Sequence, residues 1–187
     1  MESRGKSGVG EQITEVATVA TLWVLLYEVN RWLFSAAQVS EFASWIFLPA
    51  ALRVLAVLIL GWKGALGLYI GAMCTYPGLL LTNLPEALLL SSISAVGPWL
   101  MVGLTMQLLK VPSELTGLTF KQLVLISVAS SVFCAGANSA YHHVYKLPQS
   151  SLYDWTVNAI TVITGDIVGT LFVLYLVAAA LRRVPQR

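Results

Sequence analysis

Long apolar segments separated by short polar ones run along almost the whole chain. A helix that crosses a hydrocarbon core of about 30 Å needs roughly 17 to 25 residues, and these segments reach that length. Membrane barrel strands need only about 10 residues and alternate in polarity, which these segments do not. The pattern predicts an all-α bundle of about six transmembrane helices, over residues 13–34, 42–62, 65–81, 84–109, 120–141 and 153–181.

The polar stretches at the two ends are short. We expect an N-terminal tail over 1–12, one membrane domain over 13–183 and a C-terminal tail over 184–187, with no soluble domain. The first apolar segment is too long for the core of a signal peptide and is expected to remain as a membrane anchor. Two joints are weak: a tight turn must lie within 62–67, and Tyr76-Pro77-Gly78 favours a break in the third helix.

Composition places the chain in the bilayer. Hydrophobic residues make up 57% of it and charged residues 11%, whereas a soluble domain carries roughly 25% charge. The lysines and arginines are spread along the chain, so that nucleic acid is not an expected partner. The expected location is a plasma membrane, which the chain crosses several times.

The positions of the basic residues predict the orientation. If the N-terminus is inside, eight basic residues lie on the cytoplasmic side and one, Lys146, lies on the outer side. Inner loops are enriched in Lys and Arg, so both termini are expected to be cytoplasmic. The eight are Arg4, Lys6, Lys63, Lys110, Lys121, Arg182, Arg183 and Arg187.

Arg53 and Asp166 are the most informative residues, because each lies near the middle of an apolar segment. A charge there costs several kcal/mol unless it is paired or hydrated. At 1.5 Å per residue, Arg53 lies roughly 16 Å below the outer end of its helix and Asp166 at a similar depth, so the two can meet. Two interpretations stay open: a salt bridge that fixes helix register, or the floor of a polar ligand cavity.

Other polar residues lie closer to the outer surface. Glu28 and Arg31 are three apart on the first helix and can pair or extend to the interface. Alternatively, they form the upper wall of a pocket that is open to the periplasmic or extracellular side. Asn138, Tyr141, His142, His143 and Tyr145 cluster where the fifth helix emerges, and predict an interfacial group or a pH-sensitive rim.

Signatures of catalysis and of cofactor binding are absent from the sequence. There is no HExxH, GxSxG or phosphate loop, and Cys74 and Cys134 are expected to be apolar fillers within spans. The chain is therefore expected to be non-enzymatic, with no catalytic residues, metal or cofactor.

Glycines at short spacing predict close helix contacts. They occur at Gly64, Gly67 and Gly71, and at Gly165 and Gly169. Such spacing lets two backbones touch in lipid. Packing within the bundle and a homo-oligomer face are both open.

Two groups of motifs resemble a known family. The first comprises FLPAA at 47–51, LGWKG at 60–64 and LYIGA at 68–72, and the second comprises Trp155 followed by TGDIVG at 164–169. In this order they resemble bacterial membrane-associated sensor domains of the first type, over roughly 45–183. The family residues carried onto this chain are Pro49, Gly61, Gly71, Gly165, Asp166 and Gly169.

The resemblance implies a sensory membrane domain. Members normally precede a cytoplasmic histidine kinase or cyclic-di-GMP enzyme; this sequence ends at Arg187, so a separate partner is expected to carry the output. Arg53 stands where the family has a small or apolar residue, which points to an anionic ligand.

Three functions follow as hypotheses. The first is a receptor-like subunit in which Arg31, Arg53, Asn158 and Asp166 bind a small anionic or amphipathic ligand from outside, and a kinase or cyclase partner responds. The second is the substrate-binding subunit of a small-molecule importer, with a transporter module as partner. The third is a structural subunit of a larger membrane complex.

Overall fold

Helices form nearly all of the computed structural model, which describes residues 8–40, 43–112, 115, 117–141 and 152–183. In this part of the chain the α-helices are α1 (Val9–Leu33), α2 (Pro49–Leu60), α3 (Trp62–Cys74), α4 (Pro77–Thr82), α5 (Leu84–Leu108), α6 (Phe120–Tyr141) and α7 (Leu152–Arg183). A 3-10 turn, Ser35–Ala37, leads into two short antiparallel strands, β1 (Gln38–Ser40) and β2 (Ala43–Ser44).

Four of these helices are long and apolar enough to cross a membrane: α1, α5, α6 and the Thr156–Leu176 segment of α7. The chain is thus a multi-pass α-helical membrane protein. The predicted ends of the fourth to sixth segments agree with α5, α6 and α7 within two residues. The count of six spans and the location of both termini stay predictions.

The second predicted segment is wrong over its first third. Residues 42–48 were expected to be helical, but Ala43–Ser44 pairs with β1 and α2 begins only at Pro49. Proline suits the first position of a helix because it has no N–H to leave unpaired there. As a result α2 has 12 residues, too few for a full crossing by itself.

The third predicted segment is divided, as the Tyr76-Pro77-Gly78 sequence suggested. α3 ends at Cys74, and Pro77 begins the six-residue α4. The turn between α2 and α3 falls at Gly61, whose φ of 59° lies in the left-handed region that glycine adopts without strain. Three short helices, α2, α3 and α4, therefore replace the second and third predicted spans.

Helix α2 occupies the centre of the bundle and packs against α1, α3, α5, α6 and α7. Eight of its 12 residues are buried, Arg53 among them. The contacts of Gly67 with Val19 and of Gly71 with Trp23 make α1 and α3 parallel. Gly165 contacts Ser44, and Gly169, one turn later, contacts Phe47. The segment that leads into α2 therefore runs parallel to α7.

The glycine pairs are used for packing within the chain. A Cβ at Gly64 would lie 2.1 Å from the carbonyl oxygen of Ala56 on α2. Cβ atoms at Gly67 and Gly71 would come within 2.6 Å and 2.8 Å of Val19 and Trp23 on α1. The chain itself covers these faces, so an oligomer or a docked partner would need another surface.

Candidate functional site

A buried ion pair joins the central helix to the last one. Nη1 and Nη2 of Arg53 donate to the two carboxylate oxygens of Asp166, each at 3.2 Å. Arg53 is 7% exposed and Asp166 2%, and Asp166 is the middle residue of the apolar segment Thr156–Leu176. The planar guanidinium fits a carboxylate in this two-pronged way, which gives the pair a defined geometry.

Polar and aromatic neighbours complete the surroundings of this pair. The Ser131 hydroxyl on α6 is a further hydrogen-bonding neighbour of Asp166. The guanidinium carbon of Arg53 lies 5.0 Å from the ring centroid of Phe47 and 5.8 Å from that of Trp23. Aromatic faces attract a cation at such distances, so the rings stabilise the charged arginine without taking its hydrogen bonds.

The segment 44–48 fixes the height of Arg53 relative to α7. The backbone N–H of Phe47 donates to the carbonyl of Gly165 at 3.0 Å. A Cβ at Gly165 would lie 1.9 Å from the Ser44 carbonyl oxygen, and one at Gly169 would lie 2.1 Å from that of Phe47. Only glycine permits this approach, and one helical turn after Pro49 the chain places Arg53 opposite Asp166.

Helix α1 holds the other side of the same segment. The side-chain oxygen of Asn30 accepts the backbone N–H of Leu48 at 2.8 Å, and Asn30 is buried. The N–H groups at the start of a helix have no partner within that helix. The Asn30 amide therefore ties α1 to the beginning of α2, just above the ion pair.

A cavity lies above the ion pair and reaches the exposed residue Arg31. It has about 90 Å³ of room for the centres of water molecules, and one water needs about 10–15 Å³ by this measure. Several waters or a small ligand therefore fit. Its walls come from α1, α2, α5, α6, α7, the strand region and the turn before α4: Trp23, Tyr27, Asn30, Arg31, Phe34, Gln38, Ser44, Phe47, Arg53, Tyr76, Ile93, Ser94, Cys134, Asn138, Val162 and Asp166.

Two buried N–H donors at this cavity lack an oxygen acceptor among the described residues, although the Cys134 thiol lies beside the Arg53 guanidinium. They are Nε1 of Trp23 and Nε of Arg53. A buried donor without a partner costs about 1–3 kcal/mol. Since both residues line the cavity, a water or ligand oxygen inside it is the natural acceptor.

The structure brings together three of the five predicted ligand-binding residues. Arg53 and Asp166 form the floor, and Arg31 lies at the rim, where it pairs with Glu28 at 2.6 Å. Glu28 itself is outside the lining, because it is exposed and turned about 100° from Tyr27 around α1. Asn158 is also outside it, since the cavity follows α7 from Asp166 up to Val162 and ends a turn short of Asn158.

The outer cluster is described only in part. Asn138 lines the cavity, and the hydroxyl of buried Tyr141 donates to Glu86 near the start of α5. Asn83 caps the same helix end and donates to Glu86 at 2.8 Å. His142, His143 and Tyr145 lie outside the described residues.

Sequence reasoning missed the aromatic and small polar part of the lining. On α1 the missed aromatic lining residues Trp23, Tyr27 and Phe34 lie on the same helical face as Arg31, which was predicted. That stripe was readable from the sequence. On α5, Ser94 lies four residues before Pro98, which cannot donate to its carbonyl; a proline inside a helix was the available signal.

Comparisons of the chain with protein-family models, with curated proteins and with solved structures found no match. The resemblance to membrane-associated sensor domains stays a prediction. The residues that carry it nevertheless have clear physical roles here. Pro49 begins α2, Gly61 makes the turn, Gly71 packs on Trp23, and Gly165 and Gly169 receive the segment 44–48.

Proposed function

We propose that this protein is a non-enzymatic, ligand-binding subunit of a bacterial inner membrane, and that its ligand occupies the cavity above Arg53 and Asp166. The observation that carries the proposal is that the cavity extends from an exposed rim at Arg31 to a buried ion pair as its floor. Stability alone does not account for such a pair. A well-packed apolar replacement of a buried ion pair often stabilises a protein as much or more.

The position of α2 supports a sensory role. It is short, lies at the centre of the bundle, and carries Arg53 into contact with α7. A ligand that contacts Arg53 therefore touches the helix that packs against most of the others. If the ligand has a higher affinity for one arrangement of the helices than for another, it shifts the populations of the two arrangements. A kinase or cyclase partner responds to this shift.

The test uses two phenylalanine variants on one helix. Ser94→Phe fills the cavity from α5, whereas Ser92→Phe is its matched control, because Ser92 lies outside the lining and bonds to the Leu88 carbonyl at 2.8 Å. Each protein is purified in mild detergent, and the small molecules that it retains are identified by mass spectrometry. We expect the wild type and Ser92→Phe to retain one compound that Ser94→Phe has lost. The same compound at the same level in both variants would contradict the proposal.

The proteins that co-purify separate sensing from the alternatives. The sensory function is supported if a kinase or cyclase co-purifies with the protein and its activity changes in the Arg53→Ala or Asp166→Asn variant. Both variants must still be present in the membrane. Uptake of the retained compound into vesicles by a reconstituted complex indicates the importer instead. A large membrane complex without any retained compound indicates the structural subunit.

A further inference from the structure

The chemistry of the cavity narrows the class of ligand. The two unsatisfied donors belong to neighbouring residues: the guanidinium carbon of Arg53 lies 5.8 Å from the centroid of the Trp23 ring. Trp23 is 2% exposed and Arg53 7%. An indole N–H donates only, and so does a guanidinium, so neither can be satisfied by another donor.

We infer that the ligand is a small uncharged molecule that presents a carbonyl-type oxygen to Nε1 of Trp23 and Nε of Arg53. This inference rests on the proposed function, because it assigns the ligand class of the same cavity. An acceptor oxygen removes the desolvation cost of both donors at once.

The ion pair is the reason why the ligand is uncharged. Both terminal nitrogens of Arg53 already bond to Asp166. A second anion beside Arg53 would lie close to the Asp166 carboxylate, repel it and compete with it for the same guanidinium, which would weaken the buried pair. The other lining arginine, Arg31, is bound to Glu28. A neutral oxygen uses the free Nε–H and leaves both pairs intact, so we replace the expected anion with a neutral acceptor.

The remaining walls favour a flat apolar body next to that oxygen. The aromatic and aliphatic lining residues are Tyr27, Phe34, Phe47, Tyr76, Ile93 and Val162. Apolar walls with a few placed polar groups are typical of small-molecule sites, in which the polar groups set orientation. Aromatic side chains also pack well against flat rings.

Three probes with the same ring and different head groups test the inference: benzamide, benzoate and toluene. Binding is followed by NMR of the indole N–H signals in protein reconstituted into nanodiscs, and the Trp23 signal is assigned by its loss in Trp23→Phe. We expect benzamide to move this signal downfield and to saturate, benzoate to bind at least about tenfold more weakly, and toluene to cause no downfield shift. Loss of one neutral hydrogen bond predicts that Trp23→Phe weakens benzamide binding about threefold to tenfold, measured by calorimetry. Trp99→Phe is the matched control, since Trp99 is 45% exposed and outside the cavity lining.

Each contrary result has a defined meaning. Benzoate that binds as tightly as benzamide overturns the uncharged class, and an unchanged affinity in Trp23→Phe overturns the acceptor role. Toluene that matches benzamide overturns both. No saturable benzamide binding also overturns the inference. None of these results decides the proposed function. That function is tested separately, by whether Ser94→Phe loses the native compound that the wild type retains.

Discussion

Arg53 and Asp166 are 113 positions apart in the chain, and yet the two terminal nitrogens of the arginine meet the two oxygens of the carboxylate at 3.2 Å. Neither residue could be left alone in an apolar segment without a large cost. The pair therefore couples two requirements: α2 and α7 must be in register, and the space above the pair must remain polar.

The first prediction concerns the ion pair. Asp166→Asn or Arg53→Met alone leaves the other member of the pair buried without its counter-charge, and we expect each to lower the free energy of unfolding by about 3–5 kcal/mol. The double variant removes both charges and should lose clearly less than the sum. Reversible unfolding in mixed detergent micelles measures the values. Arg31→Ala is the control, because its side chain is 66% exposed and exposed pairs contribute at most about 1 kcal/mol. Additive losses in the double variant would contradict the pairing.

The second prediction concerns the close approach of the segment 44–48 to α7. A methyl group at Gly165 or Gly169 would lie 1.9 Å or 2.1 Å from a carbonyl oxygen. We expect Gly165→Ala and Gly169→Ala to lower the free energy of unfolding by about 1–3 kcal/mol or more, as overpacking does, because the segment must move away. Gly136→Ala on α6 is the control, since nothing lies within 4 Å of its Cβ position. Equal stability of the three alanine variants, measured by thermal unfolding in detergent, would exclude this packing.

Part of this site could be predicted from sequence, because depth in a membrane follows from position along a helix. Counting residues from the outer end placed Arg53 and Asp166 at one level, and the structure pairs them. The glycine spacing likewise predicted close contacts, and the structure has them at Gly71, Gly165 and Gly169. Their spacing does not indicate how these residues contribute to ligand binding.

Other parts could not be predicted, for physical reasons. The segment 42–48 is as apolar as a helix, and hydropathy does not separate helical from extended backbone. Its path is decided by contacts with Gly165 and Gly169, more than 100 residues away in the chain. In a bilayer, moreover, apolar side chains face both lipid and interior. Composition therefore did not show that Trp23 faces the ion pair while Trp32 is 80% exposed.

The third prediction concerns Asn30, which ties α1 to the start of α2. Asn30→Leu removes the acceptor for the Leu48 N–H, and we expect a loss of about 1–3 kcal/mol in the free energy of unfolding, because a buried donor is left without a partner. Asn30→Gln keeps an uncharged acceptor oxygen and should retain more stability than Asn30→Leu. Asn83→Ala is the comparison at an exposed helix cap, where about 1 kcal/mol is expected. If Asn30→Leu were as stable as the wild type, the amide would have no anchoring role.

The fourth prediction concerns orientation. The Lys63 ammonium pairs with Glu15 near the N-terminal end of α1, so the α2–α3 turn and the start of α1 lie at one end of the bundle. The basic residues predict that this end is cytoplasmic. We expect alkaline phosphatase, which is active only outside the cytoplasm, to be active when fused after residue 36 and inactive when fused after residue 187. A fluorescent protein that folds only in the cytoplasm should give the reverse result. An active phosphatase at residue 187 would mean an odd number of crossings, whereas an inactive phosphatase at residue 36 would mean that the cavity opens to the cytoplasmic side.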